Sequence, residues 1–531
     1  MTPSLDLLAQ TYDDVPYLSA CYPQSAPENL RALAHLYGLP SVPPDRARVL
    51  EIGCAAGGNL LPFASRWPEA KIVGVDLSAV QIRHGQQAIE ALGLTNITLR
   101  QGDIATIGDS LGTFDYIVCH GVYSWVPDDV RDAILRLTRA SLSEQGVAYI
   151  SYNTYPGWKS KEIVRDAMRF HAAGRPHREQ LPHARAMIDF LQQMTPADSP
   201  VRHSVDAAAE TIRDQHAQYL LHEYLEPFNQ PCYFTDFAAA AGRHDLAYLG
   251  EATLRPMFAA QVVPQAAGAL EREYGDARGD ARIALEQTID FLRNREFRQT
   301  LLVRREAAES VHYDLPFDAI ASLHVASRLK PRDGEAQQWQ DRSGAHVRAA
   351  DPVTRKIIAM LNEAWPATVP VQTLLDAASH DFADREDGRA RAAALIRDLL
   401  IASALLFRVD PVTETPAPHP LANAALRKLV QLQEQGELPI ALFNAWNEPF
   451  VELGAVEKVL LPLLDGQHDI NALHDAVREA ARAGKLHFQR NGLTLTDDAS
   501  IEKTIVENTG RALDKLIENA LAISARHARE H

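Results

Sequence analysis

Cysteine is scarce in this chain: there are four cysteines in 531 residues. They lie far apart, and no two of them form a C-x-x-C pair. Small secreted proteins carry many disulfides, and structural zinc sites use closely spaced cysteine or histidine pairs. The sequence therefore predicts reduced thiols in a cytoplasmic protein and no metal site. The four positions are Cys21, Cys54, Cys119 and Cys232.

Long apolar runs and an excess of positive charge are also missing. No segment reaches about 18 uncharged apolar residues, and the N-terminus has no basic region followed by an apolar stretch. The formal net charge is −16, which argues against duplex DNA or an anionic membrane surface as the main partner. We therefore expect a cytoplasmic protein that neither inserts into membranes nor binds nucleic acid.

The most informative segment is a predicted strand followed by a glycine-rich turn. Residues 48–52 form the strand, and Gly53-Cys54-Ala55-Ala56-Gly57-Gly58 then leads into a helix that begins near Asn59. A strand, turn and helix of this kind bring the backbone close to a nucleotide-like ligand at the carboxyl edge of a parallel sheet. The turn by itself does not identify the ligand.

Further apolar segments alternate with amphipathic ones. Two of the predicted strands end in acids, Asp76 and Asp103. Alternating strands and helices of this length predict an α/β fold with a doubly wound, seven-stranded sheet. After the first strand, the predicted strands are residues 71–76, 97–104, 114–120, 146–152, 245–249 and 298–304.

Charge distinguishes between two ligands that such a turn can hold. Gly53, Ala55 and Gly58 fall in the G-x-G-x-x-G frame of dinucleotide-binding proteins, but a methyl group at residue 55 would hinder a pyrophosphate. Glu51, just before the turn, would repel that pyrophosphate in a partly dehydrated cleft. S-Adenosylmethionine has no phosphate, carries a sulfonium and an ammonium, and has a ribose diol that needs a carboxylate acceptor. The charges therefore favour S-adenosylmethionine over NAD.

Each of three acids suits one part of that nucleoside. We predict Glu51 near the methionine ammonium, Asp76 on the ribose hydroxyls and Asp103 by the adenine amine. Any one of these acids could simply cap a helix or face solvent. Three of them at successive strand ends argue against that interpretation.

At these positions the chain resembles the class I S-adenosylmethionine-dependent methyltransferases. Glu51-x-Gly53-x-x-x-Gly57 is similar to their first motif, Asp76 to the acid that ends their second strand, and Gly102-Asp103-Ile104 to their adenine-side motif. The resemblance implies that S-adenosylmethionine is the cofactor. The residues predicted to bind it are Glu51, Gly53, Cys54, Gly57, Asn59, Asp76, Leu77, Asp103, Ile104, His120 and Gly121.

A second resemblance covers roughly residues 10–305. The strings His222-Glu223-Tyr224-Leu225-Glu226-x-x-Asn229-Gln230-Pro231, Asn294-Arg295-x-Phe297-Arg298 and Asn153-Thr154-Tyr155-Pro156-Gly157-Trp158 are similar to bacterial proteins with a methyltransferase regulatory domain. Members of that group include lysine methyltransferases that act on outer-membrane proteins, which implies a protein lysine as acceptor. Val303 stands where the family usually has cysteine, so no thiol role transfers there.

Five regions are predicted along the chain. An aromatic, proline-rich arm (residues 1–45) is either a lid or a packed surface segment, and it precedes the cofactor-binding core (46–158). A regulatory domain (159–306) supplies a helical insertion over the active-site edge and the last two strands. Two α-rich, winged-helix-like blocks follow (307–410 and 421–531), with a polar linker predicted at 335–350. Their helices are neutral to acidic, which favours scaffolding or protein docking over DNA recognition.

Candidate acceptor-side residues cluster after strands four and five. A lysine acceptor must be neutral, against a free pKa of about 10.4, and an apolar channel beside a sulfonium would lower that pKa. Aromatic faces would also hold a methylated ammonium. Asn153 and Tyr155 are the preferred substrate-side pair, and His120 could accept a proton. The other candidates are Tyr17 and Tyr22 in the arm, and Tyr123 and Trp125 as channel walls.

Three functions stay open on these grounds. The first is a methyltransferase acting on protein lysine, and the second is the same enzyme with a small-molecule acceptor. The third is a non-catalytic sensor of S-adenosylmethionine whose C-terminal blocks bind a partner. The sequence is compatible with a homodimer and does not identify the acceptor.

Overall fold

The computed structural model describes most of the chain. Tyr17, a predicted catalytic residue, lies outside the described residues. The described ranges are 18–107, 111–214, 220–226, 228–332, 337–342, 344–379, 385–412, 418–436, 438–450, 452–490, 493–494 and 498–523.

A seven-stranded sheet forms the centre of the first 306 residues. Its strands are β1 (Arg48–Ile52), β2 (Lys71–Asp76), β3 (Ile97–Gln101), β4 (Phe114–Cys119), β5 (Leu142–Asn153), β6 (Leu246–Glu251) and β7 (Phe297–Arg304). Their order across the sheet is β3-β2-β1-β4-β5-β7-β6. The first five strands pair in parallel, whereas β7 runs antiparallel to β5 and β6. The predicted seven-stranded α/β sheet is confirmed, and β7 makes it mixed rather than wholly parallel.

Both faces of this sheet are buried, as a sheet with helices on both sides requires. Every residue of β4 is buried, and its side chains alternate between two apolar clusters. Tyr116 and Val118 join one cluster, while Ile117 and Cys119 join the other. The helices of this part are α1 (Pro27–Leu36), α2 (Leu61–Arg66), α3 (Ala79–Leu92) and α4 (Asp128–Ser141).

Local sequence sets the ends of α3. The side chain of Ser78 accepts a hydrogen bond from the N–H of Gln81 at its start, and Gly93 adopts a left-handed conformation (φ 68°) after its end. Because β1 and β2 pair in parallel, the acid that ends β2 lies at the same sheet edge as the turn after β1. Asp76 is thereby brought next to the glycine-rich turn.

A helical insertion separates β5 from β6. Its helices pack around an apolar cluster of their own: α5 (Gly157–Ala172), α6 (His177–Met194) and α7 (Arg202–Asp214), followed by a π-helix (Leu221–Leu225). The helices that flank the last strands are α8 (Phe234–Arg243), α9 (Ala259–Val262), α10 (Pro264–Tyr274) and α11 (Asp280–Arg293). A buried ion cluster joins α11 to the sheet, since the Arg298 guanidinium lies 2.6 Å from Glu251 Oε1 and 2.8 Å from Asp290 Oδ2.

Two α-rich blocks make up the C-terminal part, and the five-domain division stays a prediction. The first block comprises α12 (Phe317–Ala321), β8 (His324–Ala326), β9 (Lys330–Pro331), β10 (Gln338–Gln340), β11 (His346–Arg348), α13 (Pro352–Ala364), β12 (Val369–Pro370), α14 (Val371–Ser379), α15 (Arg385–Ile401) and β13 (Leu406–Arg408). The second comprises α16 (Ala424–Glu434), β14 (Leu442–Phe443), β15 (Pro449–Phe450), α17 (Ala455–Leu460), α18 (Ile470–Arg482), β16 (Gln489–Arg490), β17 (Leu493–Thr494) and α19 (Asp498–Glu518).

The prediction of a polar linker at residues 335–350 is wrong. Strands β9, β10 and β11 form a three-stranded antiparallel sheet there. The strands are short and mostly polar, and Trp339 and Val347 are the strand residues that pack against the apolar core. Two apolar positions in so short a stretch do not give a detectable alternation.

Candidate functional site

A cavity of about 560 Å³ opens at the carboxyl ends of β1, β2, β4 and β5. The predicted cofactor residues and the predicted acceptor residues meet in this one space. Gly57, Tyr123 and Tyr155 are not among the residues that line it. The predicted residues that do are Tyr22, Glu51, Gly53, Cys54, Asn59, Asp76, Leu77, Asp103, Ile104, His120, Gly121, Trp125 and Asn153.

The glycine-rich turn forms the floor of the cavity. Gly53, Ala55 and Gly57 all have positive φ angles (74°, 46° and 77°), and the N–H of Ala55 donates to Asp76 Oδ2 at 2.8 Å. That hydrogen bond stabilises a left-handed alanine, which is otherwise unfavourable. A Cβ on Gly57 would lie 3.2 Å from the Leu99 side chain, so Gly57 packs against Leu99 on the side of the turn away from the cavity. It does not line the cavity, although it is a predicted cofactor residue.

Glu51 presents a buried carboxylate to this space. Its Oε1 accepts a hydrogen bond from Asn59 Nδ2 at 2.7 Å, while its Oε2 is buried without a partner. Burial, against the lowering effect of the Asn59 hydrogen bond and with a smaller contribution from the Asp76 carboxylate, raises the pKa of Glu51 to about 8. An unpaired carboxyl oxygen buried in this way needs a hydrogen-bond donor. The ammonium of S-adenosylmethionine fits it, whereas a pyrophosphate does not.

Asp76 and Asp103 each hold a loop end beside the cavity. Asp76 Oδ1 accepts from the N–H of Ser78 at 2.8 Å, in addition to its bond with Ala55. Asp103 Oδ1 accepts from the N–H of Ala105 at 2.8 Å. Each carboxylate is therefore fixed in orientation by backbone donors, and a carboxylate has further lone pairs for a ligand's hydroxyl or amine groups.

His120 is a partly buried, uncharged wall of the cavity. Its Nδ1 lies 2.8 Å from the Tyr149 hydroxyl, and its ring centre lies 3.8 Å from that of Tyr22. Burial lowers the pKa of His120 to about 4, so the ring is neutral at physiological pH. A base with so low a pKa takes up a proton poorly, and the geometry therefore favours a packing role over the predicted base role.

Asn153, at the end of β5, is 4% exposed and borders the cavity. Its N–H donates to Ser124 Oγ at 2.8 Å, and its Nδ2 donates to Asn229 Oδ1 at 2.9 Å. Rings of Trp125 and Trp158 stand nearby, with centres 6.4 Å apart and planes nearly perpendicular. This end of the cavity combines aromatic walls with one fixed amide.

Two of the predicted acceptor residues face away from the cavity. Tyr123 is buried in the core, where its ring contacts Phe237, because a 3-10 turn after β4 directs it beneath the sheet edge. Tyr155 lies beyond the end of β5, so strand alternation no longer governs it. Its hydroxyl donates to Glu162 at 2.6 Å and its ring packs on Tyr233. Neither residue lines the cavity, so its geometry does not support the predicted contact of these two residues with the substrate, which stays a prediction.

The sequence did not predict the charged residues at the cavity rim. Lys161 and Glu296 form an ion pair of 2.8 Å, with side chains 26% and 44% exposed, and Glu223 also lines the cavity. Burial raises the pKa of Glu223, against the lowering effect of Lys161. These residues come from α5, the π-helix and the turn before β7, and no local pattern signals that they meet.

The segment before α1 forms another wall of the cavity. Residues 18–20 and Tyr22 border it. Ser19 Oγ accepts a hydrogen bond from the N–H of Gly58 at 2.9 Å, and the Ser19 backbone forms a parallel bridge with Ile440 of the second C-terminal block. This geometry favours the lid interpretation of the arm, with the C-terminal block holding the described part of the lid in place.

The described residues contain no group of three or more histidine, cysteine or acidic side chains arranged to hold a metal ion. Among the helices in those ranges, none combines the length and the apolar composition that crossing a bilayer requires.

Three family models match separate parts of the chain. A methyltransferase domain matches residues 49–146, a predicted methyltransferase regulatory domain matches 216–304, and the C-terminal winged helix domain of PKMT matches 419–521. The last match confirms the winged-helix prediction for the second C-terminal block.

Relatives extend the similarity over nearly the whole chain. The Rickettsia prowazekii protein RP789 is 29% identical over 530 residues, which cover 96% of this chain and 93% of that protein. RP028 from the same organism is 37% identical over 233 residues, covering 44% of this chain and 93% of RP028. The structure of PKMT2 from Rickettsia typhi in complex with AdoHcy is 26% identical, with a TM-score of 0.81, and covers 96% of this chain and 100% of that one. The chain belongs to the class I S-adenosylmethionine-dependent methyltransferases that carry a methyltransferase regulatory domain.

Proposed function

We propose that this methyltransferase modifies the side-chain amine of a lysine in a protein substrate. The observation that carries the proposal is the Asn153 carboxamide among aromatic walls. Its oxygen can accept a hydrogen bond from an amine, and the carboxamide has no group that would protonate that amine. The match to PKMT2, whose abbreviation denotes a protein lysine methyltransferase, supports the same acceptor. Four free thiols support a cytoplasmic location. A homodimer stays a prediction.

The cofactor residues have distinct roles in this proposal. S-Adenosylmethionine, when bound, supplies the methyl group, and its S–CH3 bond breaks as the new C–N bond forms. Glu51 neutralises the ammonium, Asp76 accepts from the ribose hydroxyls and Asp103 accepts from the adenine amine. His120, neutral and partly buried, adds an uncharged wall that helps to exclude water. Positioning and desolvation are the main contributions that a protein can make to such a displacement.

The acceptor residues hold a neutral amine. Asn153 accepts an N–H hydrogen bond, which aims the nitrogen lone pair and strengthens as that nitrogen gains positive charge. The ring of Trp125 stabilises the methylated ammonium by about 0.5–2 kcal/mol, whereas the ring of Trp158 already lies under the Lys161 ammonium, 5.3 Å from its centre. Glu223 and Glu296 at the rim attract the protonated lysine before it loses its proton to water. No residue needs to act as a strong base.

Methyl transfer to polypeptide lysines is the first expected result. Lysine-containing polypeptides incubated with enzyme and S-adenosylmethionine should gain mass in steps of about 14 Da on lysine side chains. Mass spectrometry of the intact and digested polypeptide measures this, and the same polypeptides with acetylated lysines are the control. Label transferred only to small molecules would instead support the small-molecule alternative, and cofactor binding without turnover would support the sensor.

Cofactor binding should release a proton near neutral pH. The raised pKa of Glu51, about 8, means that the free enzyme holds it protonated at pH 7, whereas a bound ammonium favours the carboxylate. Affinity should therefore rise by up to about tenfold per pH unit below pH 8 and then pass through a maximum, because the α-amino group of the cofactor itself loses its proton near pH 8. Calorimetry at pH 7 in buffers of different ionisation enthalpy should count about one proton released per cofactor. Glu51→Gln should abolish the release, and an unchanged release in that variant would contradict the assignment.

A further inference from the structure

A segment of the regulatory domain lies directly against the ends of β4 and β5. The N–H of Gln230 donates to the carbonyl of Ser124 at 2.8 Å, and the N–H of Tyr155 donates to the carbonyl of Cys232 at 3.1 Å. Thr154 and Cys232 also form an isolated parallel bridge. These backbone bonds, which follow Asn229 directly in the chain, tie the segment that carries it to the ends of β4 and β5.

Asn229 contacts the side-chain amide of Asn153, at the end of the cavity where the acceptor amine is proposed to bind. Its Oδ1 accepts the hydrogen bond from Asn153 Nδ2 at 2.9 Å. Asn153 is 4% exposed and lines the cavity, its backbone N–H is bonded to Ser124, and its Oδ1 has no partner among the described residues. The oxygen is therefore the polar atom that Asn153 presents to the cavity.

We propose that Asn229 is a positioning residue for methyl transfer, which sets the direction of the Asn153 carboxamide. This inference rests on the proposed function of Asn153. A carboxamide that rotates by half a turn exchanges its oxygen for an NH2 group, and an NH2 group cannot accept an N–H bond from the amine. With Asn229 Oδ1 accepting from Asn153 Nδ2, the oxygen of Asn153 faces the substrate, and turning it away without losing the hydrogen bond would require both carboxamides to rotate together. The regulatory domain thereby completes the acceptor site.

The side chain at position 229 can be replaced by one that keeps the hydrogen bond to Asn153 or by one that loses it. Asn229 Nδ2 is buried and has no partner, so the other half of this amide makes no bond that a substitution would lose. An aspartate at this position still accepts from Asn153 Nδ2, whereas a leucine of similar size cannot. An aspartate also cannot donate, so it enforces the same direction of Asn153. Asn229→Asp and Asn229→Leu therefore separate positioning from packing.

The experiment measures kcat, KM and cofactor Kd on a lysine polypeptide that the wild-type enzyme methylates. Asn229→Leu should lower kcat about tenfold with cofactor Kd unchanged, and Asn229→Asp should stay within about threefold of wild type. Asn153→Ala combined with Asn229→Leu should be no slower than Asn153→Ala alone. Gln230→Met is the matched control, since the buried Oε1 of Gln230 has no partner, and it should leave kcat unchanged.

One set of results would contradict the positioning role of Asn229, and another would contradict the proposed role of Asn153. If Asn153→Ala lowers kcat but Asn229→Leu does not, or if Asn229→Leu and Asn229→Asp are equally slow, the positioning role is wrong. A loss of cofactor affinity and thermal stability that matches the loss of kcat in Asn229→Leu would indicate packing alone. If Asn153→Ala methylates lysine at the wild-type rate, the proposed role of Asn153 fails instead.

Discussion

Replacing Asp76 by alanine is expected to weaken S-adenosylmethionine binding by about 100-fold, because charge-assisted hydrogen bonds to two ribose hydroxyls are lost. The same change removes the acceptor that holds Ala55 in its left-handed conformation, since the N–H of Ala55 donates to Asp76 Oδ2. The floor of the cavity therefore loses both a ligand contact and its own support. Calorimetric titration with S-adenosylmethionine measures the change in Kd.

Two further variants make this result specific. Asp45 is exposed and precedes β1 at the opposite end of that strand, so Asp45→Ala should leave the Kd unchanged. Asp76→Asn keeps the size of the side chain and one acceptor oxygen, and its Kd should fall between those of wild type and Asp76→Ala. Wild-type protein that gives no heat with S-adenosylmethionine but clear heat with a pyrophosphate cofactor would contradict the whole assignment of the cavity.

The cofactor half of the site could be predicted from sequence because its residues follow local patterns. Glu51, Asp76 and Asp103 each stand at or just beyond the end of a strand, and the carboxyl ends of neighbouring parallel strands meet at one edge. A strand with both faces buried, such as β4, is visible as a short apolar run, here residues 116–119. For these residues, strand positions along the chain and parallel pairing are enough to give the arrangement in space.

Apart from Asn153 and Trp125, the acceptor half could not be predicted in the same way. Its walls come from the helical insertion, the π-helix and the turn before β7, and Lys161, Glu223 and Glu296 meet there only through long-range packing. Tyr155 illustrates the limit: it follows Asn153 by two residues, yet it faces away because the strand has already ended. Side-chain direction beyond the last strand residue depends on tertiary contacts that no periodicity encodes.

Substituting Gly58 by alanine is expected to weaken cofactor binding by between about tenfold and about 100-fold, because the arm would be forced out of the cavity wall. A Cβ at residue 58 would lie 2.4 Å from the Ser19 carbonyl oxygen. That oxygen already accepts from the N–H of Ala441, and the N–H of Ser19 donates to the carbonyl of Pro439. The arm cannot move away from the new methyl group without breaking its bridge to the C-terminal block.

Gly510→Ala is the matched control for this prediction. A Cβ at residue 510, within α19, meets nothing within 4 Å, so the same chemical change there should leave the Kd unchanged and raise helix stability by up to about 1 kcal/mol. Calorimetry for the Kd and thermal unfolding for stability measure both variants. A Gly58→Ala protein that binds S-adenosylmethionine like wild type would show that residues 18–20 contribute nothing to the cofactor wall. The weakened binding expected here would instead show that the second C-terminal block affects cofactor affinity through the contact of Ile440 with Ser19. Ile440 is about 380 residues away in sequence from the glycine-rich turn.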